Sequence, residues 1–240
     1  MNNTDDKAKI PKREIIQNEL LTETSERLSR IDKEFADGFD IMNRYNDTVT
    51  IFGSARFDES SPYYQKAREV ATALSNEGYT IVTGGGSGIM EAGNRGAFEA
   101  NGNSVGFNIK LPKEQSLNPY TTESKPFRYF FSRKVILAYG ASAYIYFPGG
   151  FGTMDELFEI MTLIQTKKMP AAPIILVGGE YWMHLDYFIK SQLLKGAQTI
   201  SPGDEDLYTI TEDIEVIKAV VNEHRDKVSP LGNTKPDKED

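Results

Sequence analysis

Apolar residues along the chain follow two rhythms. Five short runs are dominated by apolar and β-branched residues: Thr48 to Phe52, Tyr79 to Thr83, Ser104 to Ile109, Ala143 to Phe147 and Pro173 to Val177. A strand buried on both faces has this length and this composition. Between the runs, apolar positions recur every three or four residues, which predicts helices over about 62–77, the stretch following Gly88, 128–138, 153–166, 181–194 and 214–224. A further short strand is expected near Leu207 to Ile210. Strands that alternate with helices of this length predict a Rossmann-like α/β fold: a doubly wound parallel sheet, helices on both faces, in a single domain.

The ends of the chain and one internal stretch depart from this rhythm. Residues 1–19 are polar and are expected to be a mobile tail, as are the residues from Ser229, which include Pro230 and Pro236. Residues 20–45 carry Leu21, Leu28, Ile31, Phe35, Phe39 and Ile41 among charges, the pattern of an amphipathic helix laid on the main domain or on a neighbouring subunit. The domain is therefore expected to span 20–228. Residues Lys110 to Phe127 hold Pro112, Asn118-Pro119 and Pro126 without a period and read as an irregular loop. Such a loop serves either as a substrate cover or as plain surface.

Candidate chemistry gathers where strands end. Ala143 to Phe147 runs into Pro148-Gly149-Gly150-Phe151-Gly152-Thr153-Met154-Asp155-Glu156, and helical spacing resumes with Leu157, Ile160, Met161 and Ile164. Glycines at a helix start let backbone N–H groups approach a ligand, and the helix dipole adds partial positive charge, so the segment reads as a phosphate cradle. Gly149, Gly150, Gly152 and Thr153 are the candidate donors. Two carboxylates beside an anion site need their own explanation. Thr153-x-x-Glu156 fits a capping box, and the alternative for Glu156 is chemistry. A second unit runs from Thr80 to Thr83 through Gly84-Gly85-Gly86-Ser87-Gly88 into a helix, and Gly53-Ser54 closes the first strand at the same sheet edge. The Gly84 to Gly88 turn fits neither a dinucleotide fingerprint nor a Walker loop.

Composition narrows the class. The chain has 240 residues, 39% hydrophobic, a net charge of −8 and no cysteine. Disulfides, thiolate metal sites and cysteine nucleophiles are excluded. The acidic balance argues against a nucleic-acid footprint. His184 and His224 lie far apart without ligand spacing, so no metal is expected. No apolar segment reaches membrane-spanning length, and the polar start has no leader pattern, which makes a cytoplasmic location the expectation.

The series Gly84-Gly85-Gly86-Ser87-Gly88-Ile89-Met90-Glu91-Ala92, Ser132-Arg133-Lys134 and Pro148 to Glu156 resembles the Lonely Guy (LOG) family, whose members are often mislabelled lysine decarboxylases. The likeness runs from about Ile31 to Val216, and the Ile51 to Arg56 segment and Glu91 suit its longer bacterial branch. Short plant-type members usually carry glycine in place of Glu91. The resemblance implies hydrolysis of the N-glycosidic bond of a nucleoside 5′-monophosphate, AMP or a cytokinin riboside monophosphate among the candidates, to free base and ribose 5-phosphate. It implies no cofactor. By position in the motif, Glu156 and Arg133 are implied as catalytic, with Arg133 acting on phosphate or on the departing base. Glu91 is a candidate for gripping ribose hydroxyls or sharing the acid–base work. Gly53, Ser54, Gly85, Gly86 and Lys134 are candidate substrate contacts, Lys134 having the alternative of a surface charge. The family also implies a homodimer or a larger homo-oligomer, with the helices around Arg128 to Ala138 and after Thr153 at the contact. A decarboxylase would need a pyridoxal phosphate lysine that is not evident. The rival outside enzymes is a nucleotide-binding or nucleotide-sensing module built on the same cradle.

Overall fold

The computed structural model describes residues 13–110 and 116–228, with side chains from 23 to 227. The stretch 1–12, residues 111–115 of the irregular loop and the C-terminal tail from 229 lie outside the described residues, as does the side chain of Leu21. The elements are α1 (Arg13–Met42), β1 (Thr48–Phe52), α2 (Pro62–Asn76), β2 (Thr80–Thr83), α3 (Ile89–Glu99), β3 (Ser104–Ile109), β4 (Glu123–Phe127) and α4 (Phe130–Ala138). After them come β5 (Ala143–Tyr146), α5 (Phe151–Gln165), β6 (Ile174–Leu176), α6 (Gly179–Phe188), a π-helical turn (Ile189–Gly196), β7 (Tyr208–Ile210) and α7 (Ile214–Val228). Backbone helix already begins at Arg13, so it takes in part of the stretch expected to be a mobile tail.

All seven strands form one sheet in the order β4-β3-β2-β1-β5-β6-β7, every neighbouring pair parallel. Period-two alternation splits its side chains between two cores. Val49, Ile51, Ala143, Ile145, Ile175 and Val177 face one side, where Tyr64, Val70 and Leu74 of α2, Ile89 of α3 and Val221 of α7 cover them. Phe52, Tyr144, Tyr146, Ile174 and Leu176 face the other, against Ile136 of α4, Leu157 and Ile160 of α5 and Trp182 of α6. Burial on both faces explains why these strands read as unbroken apolar runs.

One sequence expectation fails at the sheet edge. Part of the stretch read as irregular loop is β4, paired with β3 in a register that sets Asn108 beside Pro126. An edge strand needs hydrogen bonds on one side only, so it tolerates proline, and Glu123 and Lys125 give it the charge that discourages further pairing. The N-terminal helix α1 packs on this edge and on α4, with Phe35 and Phe39 half-buried against the core.

Candidate functional site

The strand order reverses at the β1–β5 pair. From β1 the chain continues into α2 on one face, and from β5 into α5 on the other. The two connections diverge and leave a crevice beyond the carboxyl ends of the strands. Backbone bonds tie its walls together: Ser54 N–H donates to the Pro148 carbonyl at 3.0 Å, and Ile89 N–H donates to the Ser54 carbonyl at 3.0 Å. All three turns therefore meet at a cleft of about 770 Å³.

Helix α5 supplies one wall. Gly150 is its N-cap and no side chain caps it. The first α-helical bond is Met154 N–H to the Gly150 carbonyl, at 3.1 Å. The N–H groups of Phe151, Gly152 and Thr153 thus precede any intrahelical acceptor, at the end where the dipole favours anions. A Cβ at Gly150 or Gly152 would meet no protein atom within 4 Å. Neither position has positive φ. Packing does not demand these two glycines, but an object lying close against the backbone would. Thr153 does not occupy the N-cap, so the capping-box reading of Thr153 and Glu156 is overturned: the helix starts two residues before Thr153, and Glu156 lies in its second turn.

Glu156 is only 8% exposed, and its Oε2 has no hydrogen-bond partner among the described residues. Burial raises its pKa from 4.5 to about 7, and the neighbouring negative charges of Glu159 and Asp155 add to the rise. Lys134 and Arg133 oppose it. A carboxyl balanced near neutrality therefore lies in the wall of the cleft.

Arg133 comes from α4 on the opposite side. Its Nε donates to the Phe107 carbonyl at 2.7 Å and its Nη2 to the Gly84 carbonyl at 3.3 Å. A side chain at residue 84 would collide with this guanidinium, so a glycine there admits the arginine. Burial works against the arginine's charge and the charge of Glu156 favours it. Among the described residues Arg133 forms no ion pair, which leaves its charge directed at the cleft that it lines.

Gly53, Ser54, Gly149, Gly150, Gly152, Thr153, Arg133 and Glu156 all line this cleft. The other four expected contacts do not. Glu91 accepts a hydrogen bond from Tyr64 Oη at 2.9 Å, toward α2. Lys134 is held by Asp155 at 2.8 Å and Glu159 at 3.0 Å; burial opposes its charge, yet these partners keep its pKa above the ordinary lysine value. Gly85 donates its N–H to Thr83 Oγ1 at 2.9 Å, and the Gly86 carbonyl accepts from Asn118 Nδ2 at 3.0 Å. Two groups were not singled out from the sequence. Arg56 is exposed on the cleft wall, and Tyr181 of α6 reaches in to donate its hydroxyl to the Gly149 carbonyl at 2.6 Å. Arg56 lies two residues after Ser54, a signal available in the sequence. Tyr181 had none.

Comparison with known proteins adds to this geometry. A family described as "possible lysine decarboxylase" matches residues 90–220. The cytokinin riboside 5′-monophosphate phosphoribohydrolase of Rhodococcoides fascians is 26% identical over 174 residues, which cover 70% of this chain and 85% of the relative. An enzyme of the same name from Arabidopsis thaliana is 29% identical over 160 residues, 65% of this chain and 74% of the relative. Among solved structures, the molybdenum cofactor carrier protein of Chlamydomonas reinhardtii superposes with a TM-score of 0.56 at 21% identity, covering 75% of this chain and 98% of that one. That likeness shows the shared fold.

Proposed function

The chain belongs to the family described as possible lysine decarboxylase, the Lonely Guy family, and on that premise we propose that its cleft hydrolyses the N-glycosidic bond of a nucleoside 5′-monophosphate to free base and ribose 5-phosphate. The free N–H groups of Gly152 and Thr153 hold the 5′-phosphate at the start of α5. This sets the ribose over the second turn of the helix, where Glu156 lies. As the C1′–N bond breaks, positive charge grows on the sugar, and the carboxylate of Glu156 stabilises it and accepts a proton from the attacking water. Arg133, held across the cleft by two carbonyls, donates to the departing base and offsets its negative charge. Water supplies the hydroxyl that bonds to C1′, and the proton that Glu156 takes from it passes to the departing base nitrogen, which returns the carboxylate to its starting state.

The observation that carries this reading is the unpartnered oxygen of Glu156. A module that only held phosphate would gain nothing from a buried carboxylate in the wall of its anion site, which costs desolvation energy and repels the ligand. A carboxyl with a pKa near 7 suits a group that exchanges protons during turnover.

Phosphate anchoring implies a preference that can be measured. Adenosine 5′-monophosphate is expected to be cleaved with a kcat/KM at least about 10³-fold above that of adenosine, because several kcal/mol of remote binding energy orient the sugar. Free-base release followed by chromatography checks this, and equal turnover of the two would remove the phosphate cradle from the mechanism.

Assembly is the second expectation. Phe130, Phe131 and Val135 of α4 and Phe151 and Phe158 of α5 are large apolar residues left exposed, Phe151 at 96%. Apolar area of this kind on two neighbouring helices fits a homo-oligomer contact beside the cleft, which Phe130 and Phe151 also line. Light scattering at micromolar concentration is expected to give at least twice the 26.9 kDa chain mass. A monomer at that concentration would leave these side chains without the partner proposed for them. Among the described residues no helix is long and apolar enough to cross a membrane.

A further inference from the structure

Helix α4 carries Arg133 but cannot cap itself. Its N-cap residue is Tyr129, whose side chain makes no capping bond. The residues that lead into it are instead held by another element almost a hundred residues earlier in the chain. Glu34 of α1 accepts Arg128 N–H at 2.6 Å on Oε1, and its Oε2 accepts the Ser132 hydroxyl at 2.5 Å and Tyr129 N–H at 3.4 Å. One carboxylate thus fixes the last two residues before α4 and the buried serine directly before Arg133. Negative charge at a helix start is also favoured by the dipole.

Glu34 is itself held in place. Gly38, one turn along the same face of α1, lies so close to α4 that an added Cβ would approach Ile136 Cγ1 to 2.6 Å. Asp37 pairs with Lys125 of β4 at 2.6 Å. The Gly38 contact seats the helix on α4 with the Glu34 carboxylate at the α4 start, and the Asp37 pair adds a separate contact to the edge strand that this seating does not need.

We infer that Glu34 is a positioning residue for the cleft: by holding the entry to α4 and the Ser132 hydroxyl from outside, it sets the Arg133 guanidinium at the Phe107 and Gly84 carbonyls, and the N-terminal helix is thereby part of the site's construction. The kinetic consequence rests on the hydrolase reading, but the structural coupling does not. Arg133 is the residue after Ser132, so a shift at the α4 start moves its Cα directly. A displacement of about 1 Å in a catalytic group can lower turnover by around two orders of magnitude.

The test uses the full chain and two readouts, solvent exchange of the Arg133 Nε–H by NMR and steady-state kinetics on nucleoside monophosphates. In Glu34→Ala, exchange of the Nε–H is expected to accelerate at least about tenfold, and kcat to fall about 10- to 100-fold with KM changed less than about twofold. Glu34→Gln, which keeps an acceptor oxygen, should recover part of both. Asp37→Asn removes the Lys125 pair from the same helix but leaves the Glu34 bonds to Arg128, Tyr129 and Ser132, and is expected to keep wild-type exchange and wild-type kcat. Wild-type exchange in Glu34→Ala overturns the inference. So does an Asp37→Asn protein that reproduces the Glu34→Ala changes, since α1 would then act as general support. If the wild type releases no base, the hydrolase reading fails, while the exchange comparison still decides whether Glu34 positions Arg133.

Discussion

Glu156→Gln is expected to lose base release by roughly 10²- to 10⁴-fold while still binding nucleotide, because an amide keeps the volume but cannot carry the charge that meets a cationic sugar. The same change should stabilise the fold. Burial lifts the Glu156 pKa from 4.5 to about 7. The folded state therefore binds its proton more tightly than the unfolded chain. The advantage is complete below 4.5 and is lost as pH rises through about 7. At pH 8 the ionised carboxylate costs the fold about 3 kcal/mol relative to acid conditions, and glutamine removes that cost. Urea unfolding at pH 6 and pH 8 checks the sign: the wild type should weaken across this interval more than the variant. The kcat/KM of the wild type should rise with pH around 7 as Glu156 ionises, and the residual activity of the variant should lack this limb.

Arg133→Ala is expected to lower kcat/KM by roughly 10²- to 10³-fold, the usual effect of removing one preorganised donor. Its effect on stability has the opposite sign. The Phe107 and Gly84 carbonyls both lose their donor, and each unsatisfied buried acceptor costs about 1–3 kcal/mol. The two variants form a matched pair, both slowed at least about 10²-fold, one more stable than the wild type and one less. Equilibrium unfolding alongside the assay separates them. A stabilised Arg133→Ala protein would mean that the guanidinium is strained in place, not held by those carbonyls.

Much of this architecture could be read from the sequence, and the reasons are specific. β1 is bounded at Thr48 and Phe52 as its pattern requires, because a strand covered on both faces admits few polar residues. β4 carries no such signal, because an edge strand has no such requirement and tolerates Glu123, Lys125 and Pro126. α5 starts two residues before the pattern predicts. Phe151 is almost fully exposed and Gly152 is a poor helix former, so neither gave a helical signal, whereas Thr153 and Glu156 imitated a cap.

The cleft divides along the same line. Glycine turns at strand ends can be read as a group, since fold topology brings the ends of β1 and β5 to one edge. Where a side chain on a helix points depends on partners that are remote in sequence. Tyr64 takes Glu91 toward α2, and Asp155 and Glu159 hold Lys134 in ion pairs. Arg133 and Lys134 were adjacent candidates with equal charge. About 100° of helical rotation separates neighbours, and it sends one to two backbone carbonyls and the other to two carboxylates.

The central claim is that this cleft breaks an N-glycosidic bond. The most direct measurement incubates the purified chain with a panel of purine and pyrimidine nucleoside 5′-monophosphates and quantifies both products by chromatography. Free base and ribose 5-phosphate are expected to appear in equal amounts from at least one member, with no cofactor added and with the rate roughly 10²- to 10⁴-fold lower in Glu156→Gln. Binding of the nucleotides without release of base from any of them would contradict the account and leave the cleft a nucleotide-binding site without turnover.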